Sequence, residues 1–172
     1  MRSLRFVLPI FVIWLSAAAI AQSDGQKSFD LLKTLAGSWQ GTLTTTPPQP
    51  EVAGKQAQLS LRVTSMGNAI VHEMRMDGRP DDPITMFYLD GDRLLLTHYC
   101  DAGNRPRMAA KSSPDGKTVE FEFLDLAGGT QYGHMHHAVF TAIDANHHSE
   151  DWTYIEPGDK PIHAHFDLQR TK

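Results

Sequence analysis

Two hydrophobic periods divide the chain. In "SFDLLKTLAG" (28–37), Leu31, Leu32 and Leu35 fall on one helical face, with Ser28 placed to cap the helix and Gly37 to stop it. From Ser38 onward the period drops to two, and turn residues recur about every ten positions. In "KQAQLSLRVTS" (55–65), Ala57, Leu59, Leu61 and Val63 face one way while Gln58, Ser60, Arg62 and Thr64 face the other. "KTVEFEFL" (117–124) sets Val119, Phe121 and Phe123 opposite Glu120 and Glu122. Ten segments read as strands: 38–46, 55–65, 68–76, 83–89, 92–100, 105–111, 117–124, 131–142, 147–155 and 161–170. Many short strands behind one lead-in helix predict an all-β, antiparallel up-and-down barrel of about ten strands. Closure also removes the sheet edges that an isolated β protein must otherwise protect.

The first 21 residues follow a different rule. Arg2 and Arg5 precede an apolar run from Phe6 to Ala18, and Ala19-Ile20-Ala21 ends it with small residues before Gln22. This is the anatomy of a cleaved secretory signal peptide, and it predicts a periplasmic or extracellular protein with no stable membrane anchor. A lead-in and the helix then occupy 22–36, and a single barrel domain occupies 37–172. Without Arg2 and Arg5 the remainder carries 14 basic against 20 acidic residues, a net charge of −6, which excludes a nucleic-acid partner. One cysteine, Cys100, allows no internal disulfide, so stability rests on the core. No nucleophile elbow, phosphate loop or dinucleotide fingerprint is present, so the reading favours a binding protein over an enzyme.

Strand parity sorts the interior. Ile162, Ala164, Phe166 and Leu168 share one face, leaving His163 and His165 outside. Trp152 and Tyr154 bring Glu150 and His148 with them; Ile70, Met74 and Met76 bring His72; Leu94 and Leu96 bring His98 and Cys100. For 83–89, a three-residue loop over Leu89-Asp90-Gly91 turns Ile84, Met86 and Tyr88 inward, whereas a two-residue turn reverses the face. For 131–142, either His134, His136, Ala138 and Phe140 or Met135, His137 and Val139 point inward. The expected interior is an apolar tube with a polar band, its ligand-binding candidates being His72, Tyr88, Met86, His98, Phe121, His136 and Glu150. "THYCDAGNRPRM" (97–108) adds Arg105 and Arg107 at a cavity mouth, placed to meet an anionic head group.

"LAGSWQG" (35–41) runs a helix into Gly37-Ser38-Trp39, and Arg170 stands near the other end of the chain. This resembles the calycin barrels: lipocalins, fatty-acid-binding proteins and nitrobindin-like bacterial relatives. The resemblance implies that Trp39 plugs one barrel end with Arg170 across its ring, a contact worth roughly 0.5–2 kcal/mol. Ten strands, no lipocalin disulfides and no Thr-Asp-Tyr turn look more like the nitrobindin-like families than eight-stranded lipocalins. It implies a small apolar or amphipathic ligand, no required cofactor and no catalysis, with the oligomeric state left open.

Seven of the nine histidines lie between His134 and His165. His134-Met135-His136 places two imidazoles on one strand face and makes them metal candidates. Gly128, His134 and His136 resemble the first half of the cupin metal motif, but the position of the cupin glutamate holds Phe140 or Thr141, and neither ligates. The alternative reading is a haem- or metal-binding barrel, possibly an enzyme. It needs an inward His72, His98 or His136.

Overall fold

The computed structural model describes residues 22–171 except 53, 80, 81 and 112–114; the leader expected over 1–21 lies outside the described residues. One helix, α1 (Asp24–Thr34), precedes ten strands: β1 (Gly37–Thr46), β2 (Gln56–Thr64), β3 (Ala69–Met76), β4 (Ile84–Asp90), β5 (Arg93–Tyr99), β6 (Arg105–Ala110), β7 (Thr118–Ala127), β8 (His134–Asp144), β9 (His147–Glu156) and β10 (Lys160–Arg170). Each strand pairs antiparallel with its sequence neighbours, and β10 returns to β1, so the sheet closes into a barrel. The closing seam runs from Trp39 opposite Arg170 to Thr46 opposite His163. Among the described residues no helix is long and apolar enough to cross a membrane.

The helix begins earlier than its apolar spacing predicts. Ser23 caps it, accepting from the Gln26 amide at 3.2 Å, and Ser28 is buried inside the helix. The extra turn belongs to the helix because its docking face includes Gly25, whose backbone sits on the β4–β5 turn. A Cβ there would lie 2.2 Å from the Asp92 carbonyl oxygen. Phe29, Leu32 and Leu35 pack into the core and close this end of the barrel. Gly37, at φ 145°, lets the chain swing from helix into β1, a backbone angle that side chains disfavour. Trp39 follows at once, buried, with its indole N–H donating to the Leu35 carbonyl at 2.8 Å. The Arg170 guanidinium lies 4.0 Å above the ring and donates to the carbonyls of Thr34, Ala36 and Ala145.

The nine connections between strands separate by parity. Those after β2, β4, β6 and β8 surround the helix end, whereas those after β1, β3, β5, β7 and β9 surround the opposite end. Inside the barrel, helix and strand side chains share one packed core. There Leu59, Leu61, Ile70, Phe87, Leu96, Val119, Phe121, Phe140, Trp152 and Leu168 meet in one cluster.

One strand presents the reverse of its expected face. The β4–β5 connection is the two-residue turn Gly91-Asp92, so Leu89 opposes Leu94, Phe87 opposes Leu96 and Thr85 opposes His98. Thr85 and Phe87 are therefore inside, and Met86 and Tyr88 outside; the Tyr88 hydroxyl meets Thr97 at 3.2 Å. In β8 a bulge spans Met135 to His137 and leaves His136 without a cross-strand partner on β9. Ala138 and Phe140 face the core, and Met135 shares the interior beyond the bulge. Both alternatives for this strand thus apply, one on each side of the bulge.

Candidate functional site

A cavity of about 450 Å³ opens at the end away from the helix. Its wall is largely apolar, with Leu43, Met74, Met76, Met135, Ile162 and Phe166 prominent. The mouth is formed by the connections after β1, β3, β5, β7 and β9, which contribute Gln49, Glu51 and Val52, Arg79, Asp101 and Ala102, Tyr132, and the nearby Glu156. Among the described residues, three carboxylates and one guanidinium therefore surround the opening, and that guanidinium, Arg79, is paired with Asp101.

The floor is polar for a reason legible in the register. His72 on β3, Thr85 on β4 and His98 on β5 lie directly opposite one another across three neighbouring strands. Paired residues share a face, so the three side chains enter the barrel as one row. Trp152 completes the floor, with ring centroids 5.5 Å from His98 and 6.1 Å from His72. Thr85 Oγ1 lies 2.8 Å from His98 Nδ1. Burial, with His72 close by, pushes the His98 imidazole down to about 3, so the ring is neutral at physiological pH.

Beneath the floor sits Glu150, with no solvent exposure. Its Oε1 accepts from His72 Nε2 at 3.2 Å and from His148 Nε2 at 3.1 Å, and its Oε2 accepts from the Trp152 indole N–H at 3.0 Å. Burial alone would raise this carboxyl. Electrostatic attraction to His72 and hydrogen bonds from both imidazoles outweigh that effect and hold it below the ordinary carboxylate range. His148 stands edge-on to Trp39, with ring centroids 4.1 Å apart, and its buried Nδ1 has no partner among the described residues. A continuous polar line thus runs from the cavity floor through Glu150 to the tryptophan that closes the barrel.

The expected site residues divide accordingly. His72 and His98 line the cavity, while Glu150 lies one layer deeper and Phe121 belongs to the packed core. Met86 and Tyr88 lie outside the cavity wall because the tight β4–β5 turn reverses their strand. Arg105 and Arg107 also lie outside it. Arg105 is exposed, and Arg107 turns along the outer surface to pair with Asp125, which opposes it across the β6–β7 ladder. His136 stacks on Phe123, with centroids 4.9 Å apart, and meets His134 at 3.3 Å. It is not part of the cavity wall, because the bulge moves it off the ladder. Residues that parity reasoning left out, Thr85 and Arg79 above all, take those places. The Thr85 position follows once the turn length is known; Arg79 sits in a connection, where alternation carries no information.

Among the described residues, one set of three metal-ligand side chains comes together, and it is on the outer surface: Glu120, Glu122 and His137. Lys111 is inserted there, 2.6 Å from Glu122, and already neutralises part of that charge. His134 and His136 are not in such a set. Cys100 lines the mouth as a thiol whose pKa is raised, chiefly by burial, so it is a weak nucleophile.

Comparison with known proteins yields a likeness of fold. No protein-family model matches the chain, and no curated protein matches it. Among solved structures, the chain is similar to a protein of unknown function from the DUF3598 family of Nostoc punctiforme, with a TM-score of 0.57 and 11% sequence identity. The match covers 81% of this chain and 48% of that one, so this chain spans about half the length of its structural neighbour.

Proposed function

We propose that this protein is an exported, calycin-type barrel that binds a small apolar or amphipathic molecule and performs no chemistry on it. The supporting observation is the cavity itself: about 450 Å³, open at one end, apolar along its wall and polar at its floor. Binding sites for small molecules share that size range, roughly 300–1,000 Å³, and that division between wall and anchor. The Arg170–Trp39 stack and the helix seal the other end, as calycin barrels do, and the signal-like leader supports export. Native mass spectrometry of the purified protein, before and after exposure to a hydrophobic dye and to decyl-chain amphiphiles, tests the reading. We expect one-to-one uptake, lost when the cavity is filled by substitution. An apo mass with no uptake of any probe would sink it.

The haem or metal alternative has one observation in its favour. His72 and His98 each have one nitrogen held by a partner, Glu150 or Thr85, and the other free toward the cavity, as metal-binding histidines do. No third ligand side chain joins them among the described residues. A Soret band, or stoichiometric metal abolished by His98→Ala, would favour this alternative over the first.

A further inference from the structure

The two floor histidines have opposite hydrogen-bonding roles. Thr85 is buried, and among the described residues its hydroxyl has one partner, His98 Nδ1. A buried hydroxyl proton without an acceptor is costly, so the hydroxyl donates to Nδ1. The neutral His98 ring must then carry its proton on Nε2. His72 faces the reverse constraint. Its Nε2 meets a carboxylate that already accepts from two other N–H groups and can only accept, so Nε2 carries a proton and, in the neutral ring, Nδ1 keeps a lone pair. Neither His98 Nε2 nor His72 Nδ1 has a partner among the described residues, and neither is one of the sealed, unpartnered buried atoms. Both residues line the cavity, so both free nitrogens face it.

A donor and an acceptor on neighbouring strands call for a group that can accept and donate through one small atom. A hydroxyl does this. A carbonyl or ether oxygen satisfies His98 and leaves the His72 lone pair facing an oxygen. A carboxylate does the same and adds a second anion beside buried Glu150, after passing a mouth lined by Glu51, Asp101 and Glu156. We propose that the floor takes the hydroxyl of an uncharged alcohol or phenol, which accepts from His98 Nε2–H and donates to His72 Nδ1. The apolar remainder runs toward the mouth along Met74, Met76, Ile162 and Phe166. This rests on the cavity-binding reading above and names the ligand class for it.

The test is a matched series of probes offered to the protein expressed from its full sequence: 1-decanol, decyl methyl ether and decanoate at neutral pH. Trp152, in contact with both histidines, reports binding by fluorescence, and native mass spectrometry gives stoichiometry. We expect decanol to bind about tenfold or more tightly than either analogue, because each analogue leaves a buried polar group unpaired. His98→Phe keeps a ring against Trp152 and removes the donor, and should weaken decanol by about tenfold. Equal affinities across the series, tighter binding of decanoate, or an unchanged decanol affinity in folded His98→Phe would overturn the hydroxyl assignment while leaving cavity binding intact. Failure of all three probes and of the dye would instead count against cavity binding itself. Should His98→Phe fail to fold, the series on the unmodified protein decides alone.

Discussion

Glu150 places a carboxylate in the core with three N–H donors around it and no lysine or arginine among its described partners. Such a group is stable only while all its donors stay in place. Glu150→Gln keeps the shape but turns an N–H toward donors, and should lower stability by about 2–4 kcal/mol in urea unfolding. His98 gives a pH signature. Its folded value of about 3 lies below its ordinary value near 6.5, so between those limits the unfolded chain binds a proton that the folded protein refuses. Stability therefore falls as the pH is lowered through that window, by at most about 1.4 kcal/mol per pH unit from this group. The depressed Glu150 adds to the loss at the acid end, since its contribution is present above the unfolded carboxylate value and disappears as pH falls through the folded one. Urea midpoints from pH 7 to pH 4 should fall more steeply for the parent protein than for His98→Gln; equal slopes would refute the assignment.

At the scale of elements, the helix and the last strand hold one end of the barrel together. Gly25→Val would force a side chain into the Asp92 carbonyl, so it should lift the helix off the β4–β5 turn and cost about 1–3 kcal/mol. Hydrogen exchange should localise that loss to 24–35. Arg170→Met removes the stack on Trp39 and the donors to the Thr34, Ala36 and Ala145 carbonyls, and should lower stability by about 2–4 kcal/mol in the same assay. Elements are also where the sequence is most readable. Alternation in 55–65 and 117–124 places strands within a residue or two of β2 and β7, except that β7 runs on to Ala127. It fails where a face depends on a count rather than a pattern. Gly91-Asp92 and Asp90-Gly91-containing loops look alike in the sequence, yet one residue decides whether Tyr88 or Phe87 is inside. The bulge at His136 is equally silent, because its switch of phase, from Met135 inward to Ala138 and Phe140 inward, falls within a run of histidines whose side chains mark neither face.

Across the whole molecule, sealing and opening are assigned to opposite ends. The row of His72, Thr85 and His98 was partly legible: parity finds both histidines, but their alignment on one level needs the register of three strands. Because the cavity is a gap within a packed cylinder, it should be fillable. Ala164 faces it from β10, opposite Trp152, and Ala164→Phe should abolish probe uptake while leaving the melting temperature within a few degrees of the parent or above it. Loss of uptake with a collapsed melting temperature would show that the space cannot accept a ring.

The seam between β1 and β10 also constrains how the molecule is made. It joins Trp39 to Arg170, positions separated by nearly the whole barrel sequence. A chain delivered from its N-terminus, by a ribosome or through a membrane channel, reaches every other strand pairing before this one. Until Arg170 arrives, it is an open sheet with two unpaired margins. The barrel thus cannot lock before β10 is delivered, and a truncation that removes β10 should leave a chain that pairs its other strands but never closes.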